Sequence, residues 1–281
     1  MAQVINTNVM SINSQRALGK SQASMQVSLE RLSSGLRINR AKDDAAGLAI
    51  SERFNSQIRG LEQATRNAND GISLLQTAEG ALAEIENSLQ RMRELAVQAK
   101  NGTYNATDRA SLQDEFSALK SEITRITDVT EFNNINLLGT TDSVDLQVGW
   151  ENGANNVITI STFDLVTAKS TSGGISFLLG GTTSIGNAGS ASTAMTYLTG
   201  AIDKISSLRA DFGAKQNRLE SAVRNMENVV ENQSAARSRV LDADFARETA
   251  NMTRTQILQQ AGTAMLAQAN AIPQNVLSLL R

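Results

Sequence analysis

The sequence predicts a mainly α protein: a long antiparallel helical bundle or coiled coil with a small insert that contains a β-hairpin. Three observations carry this expectation. Hydrophobic residues make up 41% of the 281 positions but aromatic ones only 4%, so the core must be Ala, Leu, Ile and Val, the composition of helices packed side by side. Apolar residues recur at steps of three and four in both the upstream and the downstream halves, which places them on one helical face. Ten of the 19 glycines fall between Gly139 and Gly200, a stretch with only five charged side chains, so the order is helices, a Gly/Ser/Thr-rich insert, then helix again.

The first segment, Met1 to Arg40, carries Val4, Val9, Ile12, Leu18, Met25, Leu29, Leu32 and Leu36, the last of them at heptad spacing. A second helix follows from Ile58, Leu61, Thr65, Ala68, Ile72 and Leu75, and resumes at Leu82, Ile85, Leu89, Met92 and Ala96. The interruption near Ala78 predicts a local slip of register. Asn101-Gly102 should end this helix and Asp108 cap the next. That third helix is expected to bury Leu112, Phe116 or Leu119, Ile123 and Ile126, and to stop before Phe132. In the insert, Val144, Leu146, Val148 and Trp150 alternate with polar residues, and alternation resumes at Ile158 and Ile160 beyond Asn152-Gly153, the pattern of a β-hairpin. Ser170 to Thr193 is mostly Ser, Thr and Gly and is expected to be a surface loop or small lobe. Leu208, Phe212, Lys215, Leu219, Ala222, Met226, Val229, Gln233, Ala236 and Val240 then form a heptad seam interrupted by two polar residues. Beyond Arg254 no charged side chain occurs until Arg281, and a terminus this apolar needs a cover.

Composition removes several functions. There is no Cys and no His, so disulfides, thiolate chemistry, zinc hydrolysis by His ligands and Ser-His-Asp catalysis are out. With 26 basic and 28 acidic residues no polyanion-binding surface is indicated, and nucleic acid is not an expected partner. No apolar run is long enough to span a bilayer, and the N-terminus lacks the pattern of a cleaved secretory signal. Isolated motif matches carry no chemistry. Gly19-Lys20-Ser21 lacks the glycine a phosphate loop needs, since Ser14 stands there; Ser117 and Lys120 lack a companion Lys-Thr-Gly. Lys42-Asp43-Asp44 is best read as a polar joint. The Asn-x-Ser/Thr matches at Asn101, Asn105, Asn232 and Asn251 arise easily in an Asn/Thr-rich chain. No cofactor, metal or enzymatic activity is expected.

One helical segment stands apart. Within Leu89 to Gln98, Leu89, Met92 and Ala96 face the bundle, which leaves Gln90, Arg91, Glu94, Leu95 and Gln98 for other faces. Chemistry alone would make it a solvated edge.

The residues themselves closely resemble bacterial flagellin. The resemblance lies in Met1-Ala-Gln-Val-Ile-Asn-Thr-Asn8, Glu30-Arg-Leu-Ser-Ser-Gly-Leu-Arg-Ile-Asn39, Ala41-Lys-Asp-Asp-Ala-Ala-Gly47 and Arg66-Asn-Ala-Asn-Asp-Gly-Ile72. It continues in Ala236-Arg-Ser-Arg-Val240, Asn251-Met-Thr-Arg254, Gln256-Ile-Leu-Gln-Gln-Ala-Gly262 and Pro273-Gln-Asn-Val-Leu-Ser-Leu-Leu-Arg281. It covers roughly the first 140 and last 80 residues; the insert is short, so the large outer domains of many flagellins are absent.

The resemblance implies a subunit that polymerises with itself into the extracellular helical filament for swimming motility, exported by the flagellar type III apparatus without a cleaved signal. It implies an inner segment at 1–44 with 241–281, both ends disordered in the monomer and forming a coiled coil on assembly. It also implies core helices at 45–138 and 194–240 and a variable insert at 139–193. Inner coiled-coil assembly would fall on Leu29, Leu32, Leu36, Ile257, Leu258, Met265, Leu266, Val276, Leu277, Leu279 and Leu280. Other implied partners are the hook–filament junction and filament cap proteins and an export chaperone at the C-terminal segment. Host partners would be a Toll-like receptor reading Gln90, Arg91, Glu94, Leu95, Gln98 and Glu115, and a cytosolic inflammasome sensor reading the last residues. The alternative is a hook–filament junction protein of the same architecture; the Gln256–Gly262 and Pro273–Arg281 segments favour the filament subunit. Proteolytic flagellins carry a His-containing zinc motif, which this sequence lacks.

Overall fold

A computed structural model describes residues 7–163, 165, 175, 178 and 183–279, the side chains of 272–279 excepted. The fold is mainly α, and the chain divides into two compact units, residues 1–58 with 231–281 and residues 59–230.

In the first unit α1 (Val9–Ser34) pairs with α5 (Phe245–Leu279). Asn8 caps α1, its side chain accepting from the Ser11 amide at 3.1 Å. Gly35, at φ 73, ends it with its N–H donating to the Arg31 carbonyl at 2.9 Å, a left-handed position suited to glycine. At the other terminus Asp244 accepts from the amides of Ala246 and Arg247 at 3.0 and 3.2 Å. The chain enters and leaves the pair through a short extended joint: Leu36 bridges Asp242, and the Arg37 amide donates to the Leu241 carbonyl at 2.7 Å. The helices run antiparallel, with the Asn8 amide group on the Ala269 carbonyl at one end and Ser28 on Glu248 at the other.

In the second unit α2 (Ala45–Lys100), α3 (Ala106–Val129) and α4 (Ala188–Leu241) contribute to one apolar core, α2 and α4 each also extending into the first unit. The α2 stripe is Leu61, Ala64, Ala68, Gly71, Leu75, Ala78, Leu82, Ile85, Leu89, Met92, Ala96 and Ala99, all buried at unbroken steps of three and four. This corrects the expected slip near Ala78. Gly71 and Ala78 keep the register where a search for large apolar side chains finds a gap. Gly71 is small for a reason, because a Cβ there would collide with Leu146 of the hairpin. Phe116 and Ile123 of α3 are buried as expected, joined by Thr127, while Leu112, Leu119 and Ile126 pack at the margin. The α3 cap is Asn105, not Asp108. The two form a reciprocal box, Asn105 accepting from the Asp108 amide at 2.8 Å and Asp108 from the Asn105 amide at 3.2 Å.

Two hairpins follow. β1 (Glu131–Phe132) and β2 (Ile135–Asn136) turn through Asn133 and Asn134 at φ 50 and 63, both in the left-handed region that Asn tolerates. The sequence reading missed this turn. β3 (Ser143–Gln147) and β4 (Val157–Ser161) form the expected antiparallel hairpin, with Val144 opposite Ile160 and Leu146 opposite Ile158.

The insert contributes to the core despite its Ser, Thr and Gly composition. Most of 166–182 lies outside the described residues, but Ile175, Leu178 and Ile185 are buried members of the core. Gln113 of α3 accepts from the Ser184 hydroxyl at 3.0 Å and the Ile185 amide at 2.6 Å. α4 also starts at Ala188, ahead of the expected 194, because Asn187 accepts from the Ser190 amide at 2.8 Å. Its buried stripe accordingly begins at Ala191 and passes Ala194, Leu198, Ala201 and Ile205 before reaching the expected Leu208, Phe212, Leu219 and Met226. Lys215, which interrupts the seam, pairs with Asp211 at 3.0 Å.

Candidate functional site

Two surfaces hold the residues singled out by sequence. The first is on α2 and α3. Arg91 lies exposed with its Nη1 2.8 Å from Glu94 Oε2 and its Nε 2.9 Å from Glu115 Oε1. The hydrogen bonds it donates to Glu94 and then Glu115 raise its pKa above the usual guanidinium value, so it stays charged. The connection through Asn101–Asn105 brings α3 back beside α2, which is how residues 24 apart in sequence meet. Gln98 donates to the Tyr104 hydroxyl at 2.9 Å. Both carboxylates orient one cation, but neither makes a catalytic arrangement.

Leu95 does not join this surface. It is 1% exposed, inside the core, which corrects the expectation that it and Arg91 face outward together. The apolar member that does is Val97, 51% exposed. It lies in a cleft of about 560 Å³ lined by Gln90, Arg93, Glu94, Gln98 and Ile202 of α4. Val97 sits seven residues from Gln90, two turns along the same face. That spacing was available in the sequence, where the Arg91–Leu95 step of four drew attention instead.

The second surface is the α1/α5 pair. The positions facing the partner helix are Ser11, Ser14, Leu18, Ser21, Met25, Ser28 and Leu32 on α1. On α5 they are Glu248, Met252, Thr255, Gln259, Gly262, Leu266 and Ala269, again at steps of three and four, all buried or half-buried. This seam is mostly small and polar. Ser28 Oγ donates to Glu248 Oε2 at 3.0 Å and Arg31 Nη1 to Glu248 Oε1 at 3.0 Å, the carboxylate being only 8% exposed. At Gly262 a side chain would press on Leu18 at 3.3 Å.

Besides Leu18, Met25, Leu32, Met252 and Leu266 in the seam, the pair carries large apolar side chains on its outer faces. Val9, Met10, Ile12, Leu29, Phe245, Ile257, Leu258 and Met265 are all exposed, between 48 and 62%. Phe245, Ile257 and Leu258 bound a shallow cleft of about 800 Å³ floored by Ala246, Thr249, Ala250 and Thr253. Of the residues expected to assemble, Leu29, Ile257, Leu258 and Met265 point outward, and Leu32, Leu36 and Leu266 are half-buried. Val276, Leu277 and Leu279 are in the helical stretch whose side chains are outside the described residues, as is Leu280 altogether. No helix among the described residues is long and apolar enough to cross a membrane.

Comparison with known proteins adds the following. Residues 5–143 match the bacterial flagellin N-terminal helical region and 195–280 the bacterial flagellin C-terminal helical region. A flagellin of Halalkalibacterium halodurans is 48% identical over 279 residues, covering 99% of this chain and 100% of the relative. The flagellar filament 33 kDa core protein of Treponema phagedenis is 44% identical over 289 residues, covering 99% and 100%. Among solved structures, a flagellar hook-associated protein from Vibrio parahaemolyticus covers 71% of this chain and 100% of its own, with a TM-score of 0.59 and 12% identity, which shows the fold alone.

Proposed function

This chain belongs to the bacterial flagellin family, and on that premise we propose that it is the structural subunit of a helical flagellar filament, joined to its copies through the outward faces of α1 and α5. The observation that carries this is the arrangement of the pair. Its internal seam is largely small and polar, with Leu18, Met25, Leu32, Met252 and Leu266 among the serines, while Val9, Leu29, Phe245, Ile257 and Leu258 are exposed, an exposed patch of the kind that marks an association surface. Export through a type III apparatus, chaperone binding at the C-terminal segment, and contacts with junction and cap proteins go with that family role. So does a location outside the cell. Purified subunits added to short sheared filament seeds should elongate them. Truncation to residues 59–230 should remove elongation; seeds that grow from that fragment would overturn the reading. The hook–filament junction alternative is supported only by a shared fold at 12% identity.

The same premise supports recognition by a host Toll-like receptor at the α2/α3 surface, through Gln90, Arg91, Glu94, Gln98 and Glu115. Arg is favoured at interface hot spots, and here two carboxylates hold its guanidinium in one pose. Leu95 would act from beneath, by packing. Arg91→Ala should lower potency in receptor reporter cells at least about tenfold while circular dichroism stays unchanged. Unchanged potency would overturn the reading. The cytosolic sensor would read the C-terminal residues.

A further inference from the structure

We propose that Asn152, in the connection between β3 and β4, is a self-modification site: the Gly153 amide nitrogen closes on its side chain, and water opens the ring to aspartate and isoaspartate. The site lies within residues 59–230, so it depends neither on the ends of the chain nor on assembly. The chain holds two Asn-Gly pairs, Asn101-Gly102 and Asn152-Gly153. Glycine in second place leaves the attacking nitrogen without a neighbouring Cβ, so both pairs carry the required groups. Their surroundings differ.

Asn101 is held in place. Its carbonyl accepts from Arg109 Nη2 at 3.1 Å and from the Tyr104 amide at 3.5 Å, and its Oδ1 accepts from the Thr103 amide at 3.3 Å. Ring closure needs rotation about the Cα–C bond of the asparagine, which swings that carbonyl away from both donors. Asn152 is exposed and, among the described residues, makes no hydrogen bond through its side chain or its backbone, nor does the Gly153 amide. The peptides on either side are anchored instead. The Glu151 carbonyl accepts from Gln147 Nε2 at 2.9 Å and Asn156 Nδ2 at 2.8 Å, and the Gly153 carbonyl accepts from the Asn156 amide at 2.9 Å. The connection keeps its course while the one peptide between Asn152 and Gly153 is left unheld.

The chemistry balances with water alone. The Gly153 nitrogen gives up its proton and bonds to Asn152 Cγ; the Cγ–Nδ2 bond breaks, and ammonia leaves with that proton. Water then adds to one of the two ring carbonyls. Opening at Cγ yields aspartate on the original backbone. Opening at the other carbonyl yields isoaspartate, in which the chain runs through the former side chain and is a methylene longer. Nothing is oxidised or reduced. Either product places a new carboxylate next to Glu151, and because ammonia is lost the conversion does not reverse. Its extent records the time since the chain was made.

The test holds the purified full-length chain in mildly alkaline buffer at physiological temperature and follows the Asn101 and Asn152 peptides by mass spectrometry. A synthetic peptide of residues 149–156 sets the time scale. The Asn152 site should gain the mass of amide-to-acid conversion about tenfold faster than the Asn101 site, because breaking even a single hydrogen bond of ordinary net strength slows closure by that order. Its isoaspartate fraction should accept a methyl group from S-adenosylmethionine through a protein isoaspartate methyltransferase. Gly153→Ala adds a Cβ beside the attacking nitrogen that would meet only Asn156 Nδ2, at 3.9 Å. Circular dichroism of this variant should match wild type while conversion slows severalfold. Conversion of Asn101 as fast as Asn152, an intact Asn152 after the synthetic peptide has fully reacted, or an unchanged rate in folded Gly153→Ala would each overturn the proposal.

Discussion

The two units of this chain use helices of similar composition to opposite ends. In residues 59–230 the apolar stripes of α2, α3 and α4 are consumed internally. Of the 35 buried apolar residues described, 32 belong to a single cluster in this unit, and the remaining three are Ile38, Ile58 and Ala269. In residues 1–58 with 231–281 the pattern inverts. Serines, Thr255, Gln259, Gly262 and a buried Glu248 share the partner-facing seam with Leu18, Met25, Leu32, Met252 and Leu266, while Leu29, Phe245, Ile257 and Leu258 face water. A helix pair built this way holds together by close approach, polar pins and a few seam Leu and Met side chains, and leaves much of its hydrophobic surface exposed. Unit two buries its apolar stripes within itself; unit one leaves large apolar side chains exposed, the surface proposed above to join copies.

The largest effect should come from truncating the same kind of side chain in each unit. Phe116 is fully buried, so Phe116→Ala should cost about 3–5 kcal/mol in a thermal or denaturant melt of the subunit. Ile257→Ala removes a side chain that is 60% exposed, and should change the melt by no more than about 0.5 kcal/mol while sharply reducing seed elongation. If Ile257→Ala destabilised the subunit as much as Phe116→Ala, the outer face would be an internal core and the contrast would fail.

The contrast was partly legible in the sequence. Long stripes such as Leu82–Ala96 and Leu208–Met226, and the alternation at Val144–Leu146 and Ile158–Ile160, predict their elements because burial imposes a period on large side chains. What escaped was carried by small or polar residues. Gly71 and Ala78 continue a stripe without looking apolar, Asn133-Asn134 make a turn through backbone tolerance, and Asn105 and Asn187 set helix starts by one hydrogen bond each. Ile175, Leu178 and Ile185 sit in core positions inside a Ser/Gly background that hides their spacing. On the α2/α3 surface helical spacing did carry the directions, since Leu95 stands three residues beyond buried Met92 and four before buried Ala99 and Val97 seven beyond exposed Gln90, but the Arg91–Leu95 step of four drew attention instead.

The second unit can be probed by adding atoms as well. A Cβ at Gly71 would strike the Leu146 side chain, whereas one at Gly80 would meet nothing within 4 Å. Gly71→Ala should therefore cost about 1–3 kcal/mol through displacement of the hairpin. Gly80→Ala, on the same helix, should gain up to about 1 kcal/mol from propensity. Paired melts check both signs; a stabilising Gly71→Ala would mean that the hairpin is not seated on α2.

In the first unit the corresponding probe removes a polar pin. Glu248 is buried and bonded to Ser28 and Arg31, but Arg31 remains 28% exposed, so Glu248→Ala should cost about 2 kcal/mol, less than a fully buried pair. The loss should appear as faster amide exchange in α1 and α5, with protection in α2 and α3 between residues 59 and 129 unchanged. Uniform loss of protection throughout the chain would mean that the two units do not unfold separately.

The smallest expected effect is a pH response confined to the joint between α1 and α2. Asp43 Oδ2 accepts from the amides of Arg40 and Asn39 at 3.0 and 3.2 Å. The Arg40 amide is the main reason its pKa is lowered, with the Asn39 amide and the nearby Lys42 and Arg31 charges adding to the shift against a smaller opposing desolvation. A depressed carboxyl pKa contributes stability above the unfolded-state value, and that contribution is lost as pH falls through the folded value. The turn should thus hold down through the ordinary Asp range near about 3.9 and release only at lower pH. In an NMR titration the Asn39 and Arg40 amide shifts should move together with a midpoint below that value, and Asp43→Asn should abolish the shared transition. A midpoint at or above the ordinary value would show that the two amides do not hold the carboxylate, and that the joint rests on its other bonds, among them Arg40 to Glu30 and the Arg37 amide to the Leu241 carbonyl.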